Sequence, residues 1–243
     1  MLLSLDHLSY RYAPHLDPVL NDLSISINSS RITGLAGANG SGKTTLIRIL
    51  LGQLIDFQGG YRIDGAEISD YDGSLPFRYG FGYGPETPVL DDTLTGYEIL
   101  TLVADIRKLE RTAFEREVAL FRSSLQIEEW LEVRKCGEYS TGMRRKVSLC
   151  IAFLGAVRFA ILDEPTNGLD PLAVFGLKKI IQAKKEEGTG TLLASHILDF
   201  LETTTDDILL LKQGTILRHG PLKDVVCEGT RLEEIYYSLF NKG

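Results

Sequence analysis

A glycine-rich segment early in the chain has the composition of a loop that binds phosphate groups. Residues 37–44 read Gly-Ala-Asn-Gly-Ser-Gly-Lys-Thr and fit the pattern Gly-x-x-x-x-Gly-Lys-Ser/Thr. Glycines let successive backbone N–H groups curve around a phosphate, and Lys43 can reach the β- and γ-phosphates of a nucleotide. The Thr44 hydroxyl is suited to Mg²⁺. The predicted phosphate-binding residues are Gly37, Ala38, Asn39, Gly40, Ser41, Gly42, Lys43, Thr44 and Thr45.

Two acidic residues, Asp163 and Glu164, close the apolar segment 159–162. An enzyme with a phosphate loop needs a carboxylate at the end of a neighbouring strand to hold Mg²⁺, and Asp163 suits that role. Glu164 would point toward the γ-phosphate side, where a carboxylate can orient and deprotonate the attacking water. Two surface acids at the end of a buried strand would be an alternative for the pair alone. The phosphate loop earlier in the chain favours the catalytic interpretation.

The pattern of apolar residues predicts the elements that position these groups. Residues 32–36 form a short apolar strand before the phosphate loop, and residues 44–51 form a helix after it, which is the context the loop requires. Residues 1–30 alternate apolar and polar side chains, as in strands with one solvated face. Tyr61–Ile63 is predicted as a strand that enters a tight turn at Asp64-Gly65.

Helices and strands alternate in the second half of the chain. This indicates an α/β fold whose mostly parallel sheet is covered on both faces. The charged end of the helix after Pro171, Lys184 to Glu187, is interpreted as solvated. The predicted helices are 95–133, 140–157 and 171–186, and the predicted strands are 159–162, 191–194, 208–211 and 215–217.

Composition limits the partners and the compartment. The 243 residues carry a net charge of −7, which provides no overall basic footprint for nucleic acid. Three cysteines, Cys136, Cys150 and Cys227, lack metal-ligand spacing and indicate reduced thiols in a cytoplasmic protein. No apolar run approaches the ~20 residues of a spanning helix, and the N-terminus lacks the features of a signal peptide. We therefore expect any contact with a membrane to be made through a partner protein.

Three further segments resemble motifs of the ATP-binding cassette (ABC) ATPases, in the order found in that family. Residues 162–171 (Leu-Asp-Glu-Pro-Thr-Asn-Gly-Leu-Asp-Pro) resemble its Walker B and D-loop region. Ser140-Thr141-Gly142-Met143 resembles the signature motif, usually Leu-Ser-Gly-Gly-Gln, and His196 is similar to the switch histidine. The resemblance covers essentially the whole chain. It implies one ABC ATPase domain over residues 1–243, with a P-loop NTPase core and N-terminal antiparallel β lobe at about 1–90 and 158–243, and an inserted α-helical lobe at about 91–157.

The resemblance also implies an ATP site shared between two subunits. Ser140 and Gly142 begin a predicted helix, where an anion is stabilised, and Ser140 also suits an ordinary N-cap. In the family this helix end faces the γ-phosphate that the other subunit holds. Asp170 would contact the partner subunit across the same interface.

Two more site residues follow from the family pattern. His196 would contact the γ-phosphate, although a lone histidine can also be a structural hydrogen bonder. Tyr12 matches the aromatic residue that stacks on adenine, and Tyr10 is the rival candidate.

Two features depart from the common family pattern. Glu86 stands where a glutamine is expected, and its oxygens can still approach Mg²⁺ or a bound water. The signature reads Tyr-Ser-Thr-Gly-Met, in which Thr141 is expected to crowd the backbone near the phosphate. These two features and the C-terminal segment 232–239 resemble the second ABC export class. Since Asp163 and Glu164 are both present, we expect an active ATPase.

The sequence thus predicts an ATP-binding and ATP-hydrolysing subunit that uses Mg²⁺. It would dimerise with itself or a related subunit, lie at the cytoplasmic face, and power export through a separate permease by ATP-driven dimer closure. A groove beside Glu86 and the helical lobe would hold a short permease helix. The alternative is a soluble ABC ATPase outside transport, such as an iron–sulfur cluster assembly subunit. A non-hydrolysing regulatory module is disfavoured by the intact Asp163, Glu164 and His196.

Overall fold

The computed structural model describes residues 1–68, 75–226 and 229–240. They form two compact units, a first unit of Met1–Tyr79 with Gly190–Gly243 and a second unit of Gly80–Thr189. The strands are β1 (Leu2–Tyr10), β2 (Leu20–Asn28), β3 (Ile32–Ala36), β4 (Gln58–Ile63), β5 (Ala66–Glu67), β6 (Phe81–Gly84), β7 (Phe159–Asp163), β8 (Gly190–Ser195), β9 (Asp207–Lys212) and β10 (Thr215–Pro221). The helices are α1 (Lys43–Leu50), α2 (Leu75–Tyr79), α3 (Gly96–Ile106), α4 (Arg111–Leu125), α5 (Thr141–Phe153), α6 (Pro171–Glu186), α7 (Leu198–Glu202), α8 (Leu222–Val225) and α9 (Leu232–Phe240).

The first unit contains an antiparallel sheet with the strand order β2-β1-β4-β5. Leu3 of β1 faces Ile27 of β2 on one side and Ile63 of β4 on the other, and all three side chains are buried. Their alternation with polar residues buries one face of the sheet and solvates the other. The antiparallel N-terminal strands predicted from the sequence are confirmed.

The first unit also contains a mostly parallel group of strands in the order β10-β9-β3-β8. Strand β3 is wholly buried and pairs in parallel with both β8 and β9, while β9 and β10 form an antiparallel hairpin. Such a central strand needs apolar residues along both faces, as the sequence Ile-Thr-Gly-Leu-Ala provides. In the register, Ala36 lies beside Ser195, so β3 and β8 end at the same edge.

The second unit packs helices around the parallel pair β6 and β7. Glycines allow the closest approaches. A Cβ atom on Gly82 of β6 would lie 1.8 Å from the carbonyl oxygen of Ala152 in α5, and one on Gly176 of α6 would lie 1.8 Å from that of Ser124 in α4. These two glycines therefore set the distances between α5 and β6 and between α4 and α6.

Several sequence-based expectations need correction. The region predicted as helical over 95–133 contains two separate helices, α3 and α4, and α5 ends at Phe153 instead of near Val157. Gly155, with φ +81°, adopts a left-handed conformation that a helix cannot continue through. The interpretation of Lys184 as part of a solvated helix end is wrong, because its side chain is buried. Cys136 and Cys150 are buried free thiols, and Cys227 lies outside the described residues.

Within the described parts of the chain, every helix is too short or too polar to cross a lipid bilayer.

Candidate functional site

The phosphate loop runs from the end of β3 to the start of α1 in the first unit. Gly40 and Gly42 have φ values of +79° and +108°, conformations that favour glycine. Gly42 is the N-cap of α1 and, as a glycine, has no side chain with which to accept hydrogen bonds from the first N–H groups of the helix. This is the geometry of an anion site at a helix N-terminus.

Lys43 is buried at the mouth of this loop. Its Nζ donates to the carbonyl oxygens of Gly37, at 2.7 Å, and Ala38, at 3.4 Å. The loop thus positions the ammonium group beside its own backbone. Thr44 is exposed and Thr45 is buried, so successive hydroxyl groups of α1 face different surroundings.

The two candidate tyrosines for adenine differ in exposure. Tyr12 is 49% exposed, and its hydroxyl lies 3.1 Å from Oγ1 of Thr45. Tyr10 is only 8% exposed and meets the Tyr12 ring edge to face, with ring centroids 5.2 Å apart. An aromatic ring must be accessible to stack on a base, so the geometry favours Tyr12 over Tyr10.

His196 lies at the same edge of the first unit as the phosphate loop. Because Ala36 pairs with Ser195, the residues that follow these two strands emerge side by side. The Ser195 hydroxyl accepts the Ile197 N–H at 3.1 Å, which shapes the turn that carries His196. The histidine side chain is exposed, as contact with a phosphate requires.

The acidic pair ends β7 in the second unit. Asp163 and Glu164 are both buried, and Glu164 has φ +46°, in the left-handed region that non-glycine residues rarely occupy. Backbone conformations of this kind cost about 1–3 kcal/mol and persist where the surrounding structure holds them. The strained position of Glu164 therefore marks it as a functional candidate.

The signature residues begin α5 in the second unit. The Ser140 hydroxyl accepts the Met143 N–H at 3.3 Å, so its expected role as N-cap is confirmed. A Cβ atom on Gly142 would lie 2.7 Å from the carbonyl oxygen of Gly168, so the signature lies directly against the loop before Asp170. Thr141 is exposed beside this contact.

Asp170 is the N-cap of α6. Its carboxylate accepts the Ala173 N–H at 2.8 Å and lies 3.4 Å from Nζ of Lys146 in α5. The Ala173 N–H, followed by Lys146, lowers the pKa of Asp170. The carboxylate thus remains ionised and exposed while its backbone is held by α6.

Arg145, which the sequence analysis missed, connects α5 to the Glu86 loop. Arg145 is 2% exposed, and its guanidinium donates to the carbonyl oxygens of Pro85 and Glu86. Burial lowers the pKa of Arg145, and the negative charges of Glu86, Asp163 and Glu164 oppose that effect. The Glu86 side chain itself is exposed. A sequence signal existed, since an arginine four residues before the buried Leu149 lies on the buried face of a helix.

The first unit therefore holds the phosphate loop, Tyr12 and His196, and the second unit holds the acidic pair, Glu86, the signature and Asp170. Each group lies at the end of a strand or the start of a helix. The roles assigned to these individual residues stay predictions.

The chain is similar to known ATP-binding proteins. The family model described as ABC transporter matches residues 20–167. The ABC-type transporter ATP-binding protein EcsA of Bacillus subtilis is 33% identical over 92% of this chain and 89% of its own. The lipopolysaccharide export system ATP-binding protein LptB of Haemophilus influenzae is 33% identical over 86% of both chains. A solved ATP-binding subunit of an ABC transporter has a TM-score of 0.88 and 33% identity, covering 99% of this chain and 100% of that one.

Proposed function

The chain belongs to the ABC transporter family as an ATP-binding and ATP-hydrolysing subunit, and we propose that it powers export through a separate membrane permease. It would act as a dimer with itself or a related subunit. ATP binding would close the dimer, and hydrolysis would reopen it. The observation that carries this proposal is the signature, whose exposed residues Ser140 and Thr141 lie at the N-terminus of α5, where backbone N–H groups can bind a phosphate group.

Mg²⁺ is the metal ion that the proposed residues fit. Thr44 offers a hydroxyl oxygen, and Asp163 and Glu86 offer carboxylate oxygens, the ligands that Mg²⁺ prefers. Among the described residues there is no cluster of three acidic, histidine or cysteine side chains that would enclose a metal ion. Mg²⁺ usually keeps several waters and binds substrate phosphates, so a few oxygen ligands suffice. Bound Mg²⁺ would neutralise charge on the transferring phosphoryl group.

Glu164 is proposed as the base that orients and deprotonates the attacking water. Its burial and its position directly after β7 support this role, because a fixed carboxylate can hold a water in one orientation. His196 would contact the γ-phosphate, and Lys43 would move from the loop carbonyls to the β- and γ-phosphates. These groups stabilise the charge that spreads over the phosphoryl oxygens during transfer.

The dimer supplies donors from the opposite side. The α5 N-terminus carries Ser140 and Gly142, and its dipole favours a negative charge. Its contact with Gly168 fixes it next to Asp170, so both would reach the partner subunit together. The signature of one subunit would thus complete the binding site of the γ-phosphate that the other subunit holds.

Features of the second unit and the name of one relative support the proposals of export and of a permease partner. Val89, Leu102, Ile106 and Val133 are apolar side chains that are more than half exposed there, and we infer that they contribute to the contact with the permease. Glu86, the Tyr-Ser-Thr-Gly-Met signature and the C-terminal segment resemble the second ABC export class. The relative LptB is named for an export system. Together these favour export, with the subunit at the cytoplasmic face.

The first experiment tests the dimer and the catalytic base. Glu164→Gln keeps the size of the side chain but removes the base, so we expect ATP turnover to fall at least about 100-fold. With ATP and Mg²⁺, this variant should elute as a dimer in size-exclusion chromatography with light scattering. Glu128→Gln, at an exposed glutamate of the same unit, is the matched control. Wild-type turnover in Glu164→Gln would refute the base, and a monomer with bound ATP would refute the shared site.

The second experiment tests transport and its direction. Tagged Glu164→Gln protein is purified from native membranes with ATP, and the recovered proteins are identified by mass spectrometry. We expect an integral membrane protein with several spans, and recovery without one contradicts the proposal. Cells carrying Glu164→Gln or Glu128→Gln are then compared by metabolite profiling of cells and medium. A compound that accumulates inside the Glu164→Gln cells supports export, whereas one that accumulates outside indicates import.

A further inference from the structure

The hairpin of β9 and β10 lies against the phosphate loop in the first unit. Gly214 is the second residue of its two-residue turn, and its backbone N–H donates to the carbonyl oxygen of Ser41 at 2.9 Å. On the other side, the Gly214 carbonyl oxygen accepts the Asn21 N–H of β2 at 2.8 Å. The backbone of Gly214 therefore connects β2 to the phosphate loop.

The turn of this hairpin requires glycine at position 214. Gln213 and Gly214 have φ values of +46° and +75°, the positive sign that a type I′ turn needs at both central residues. Gly214 is buried, and a Cβ atom on it would lie 2.3 Å from the carbonyl oxygen of Val19, just before β2. A side chain at this position would thus displace the turn or Val19, and with it the bond to Ser41.

The contact with Ser41 orients a backbone donor of the phosphate loop. The carbonyl oxygen of Ser41 and the N–H of Gly42 belong to one peptide group, and in a trans peptide they point in opposite directions. Because Gly214 holds the carbonyl group, the Gly42 N–H is directed away from the hairpin. Gly42 is the N-cap of α1, so this N–H lies at the helix end where backbone donors bind an anion.

A second contact holds the beginning of the phosphate loop. A Cβ atom on Gly37 would lie 2.6 Å from the carbonyl oxygen of Leu211, in the strand that leads into the turn. Both ends of the loop thus lie against β9 and its turn. This packing reduces the backbone freedom that a glycine-rich segment otherwise loses when it closes around a phosphate.

We propose that Gly214 is a positioning residue for phosphate binding, whose N–H fixes the Ser41–Gly42 peptide so that the Gly42 N–H is oriented to bind a phosphate group of ATP. A donor that is already oriented loses less conformational freedom on binding, which strengthens the affinity. The inference rests on the proposed binding of phosphate by this loop. It does not depend on the permease or on the direction of transport.

The test compares two hairpin glycines in the full chain. Gly214→Ala places a methyl group against the Val19 carbonyl. Gly65→Ala is the matched control, because Gly65 is the second turn residue of the β4–β5 hairpin, has φ +82°, and a Cβ atom added there has no neighbour within 4 Å. Both variants place alanine in a left-handed conformation and should lower the melting temperature. Only Gly214→Ala should also weaken the binding of phosphate.

Calorimetry with inorganic tripolyphosphate, ADP and ATP measures this binding, at a temperature at which each variant is fully folded. Loss of one hydrogen bond predicts that the Kd rises at least about threefold for all three ligands in Gly214→Ala, and stays within about 1.5-fold of wild type in Gly65→Ala. An unchanged Kd in Gly214→Ala, or equal rises in both variants, overturns the proposal.

Tripolyphosphate, which has no base, excludes a competing route through the adenine site. Val19 donates to the Tyr10 carbonyl oxygen at 2.8 Å, so its displacement provides a path to Tyr12, the candidate for adenine stacking. If Gly214→Ala weakened the binding of ADP and ATP but not of tripolyphosphate, the effect would run through Tyr12, and the proposal would be overturned.

Amide hydrogen exchange in the wild type tests the same bond without a substitution. By linkage, a bond that strengthens ADP binding about threefold is itself stabilised about threefold by ADP. We expect ADP to slow exchange of the Gly214 amide by about this factor, measured by NMR, and to leave the exposed Gly65 amide unchanged. An unchanged rate at Gly214 overturns the proposal even where Gly214→Ala fails to fold. These readouts involve neither a permease nor hydrolysis, so failure here is distinct from failure of the export proposal.

Discussion

A buried ion pair joins α4 and α6 in the second unit. Nζ of Lys184 lies 3.1 Å from Oε2 of Glu117, and the two side chains are 2% and 9% exposed. Glu117 also accepts the Gly155 N–H at 2.9 Å, and Lys184 also lies 3.1 Å from the more exposed Glu187. The pair thus connects α4 to the last turn of α6, the helix whose N-cap is Asp170. Removal of either charge leaves the other one buried without its main partner.

The expected cost follows from that burial. Breaking a buried pair by removing one partner costs about 3–5 kcal/mol, and Glu187 offsets part of this for Lys184. We therefore expect Glu117→Gln and Lys184→Met each to lower the free energy of unfolding by about 3 kcal/mol, or the melting temperature by about 6–12 °C. The double variant buries no charge at this position. Its loss should fall short of the sum of the single losses by at least about 2 kcal/mol.

Urea unfolding followed by circular dichroism measures the free energy of unfolding of the wild type, the two single variants and the double variant. Equal m values would establish that the same transition is compared in each. Glu115→Gln is the control, because Glu115 pairs with Arg111 on the surface of the same helix and should cost less than about 1 kcal/mol. If the two single losses add within about 0.5 kcal/mol, or if Glu117→Gln costs no more than Glu115→Gln, then the pair is not the stabilising contact inferred here.

Three further variants test contacts of the ATP site and the second unit. Tyr12→Ala should weaken ATP binding, measured by calorimetry, about tenfold because the stacking on adenine is lost, whereas Tyr10→Phe should leave it unchanged. Weaker binding in Tyr10→Phe and unchanged binding in Tyr12→Ala would assign the adenine contact to Tyr10. Gly176→Ala places a methyl group against the Ser124 carbonyl and should lower the free energy of unfolding by about 1–3 kcal/mol. Gly60→Ala is its control and should leave the free energy of unfolding unchanged, because the nearest atom to a Cβ added at Gly60 is 3.7 Å away. A lysine side chain cannot bond to two carbonyl oxygens as the guanidinium does, so Arg145→Lys should lower ATP turnover about tenfold and leave the Kd for ATP unchanged. Wild-type turnover in this variant would show that the Glu86 loop does not need this link.

Much of the fold could be predicted because its signals are local in the sequence. Alternating apolar residues indicated the antiparallel strands, and short apolar runs indicated β3, β7 and β8, which the structure confirms. The phosphate loop is a contiguous motif, so its strand and helix context was predictable as well. The ends of elements were less certain, as the early end of α5 illustrates. The extended conformation of Leu154 and the left-handed Gly155 after it end that helix.

The sequence by itself determined the chemistry-bearing motifs, their order, and the strands and helices that present them, because these depend on neighbours within one or two turns of chain. Tertiary structure alone decided which distant groups meet. Lys184 was expected in solvent and is buried against Glu117, and Arg145 reaches the backbone of the Glu86 loop. The physical reason is that a charge finds its partner through the packing of whole helices, and no local periodicity encodes which helices will touch.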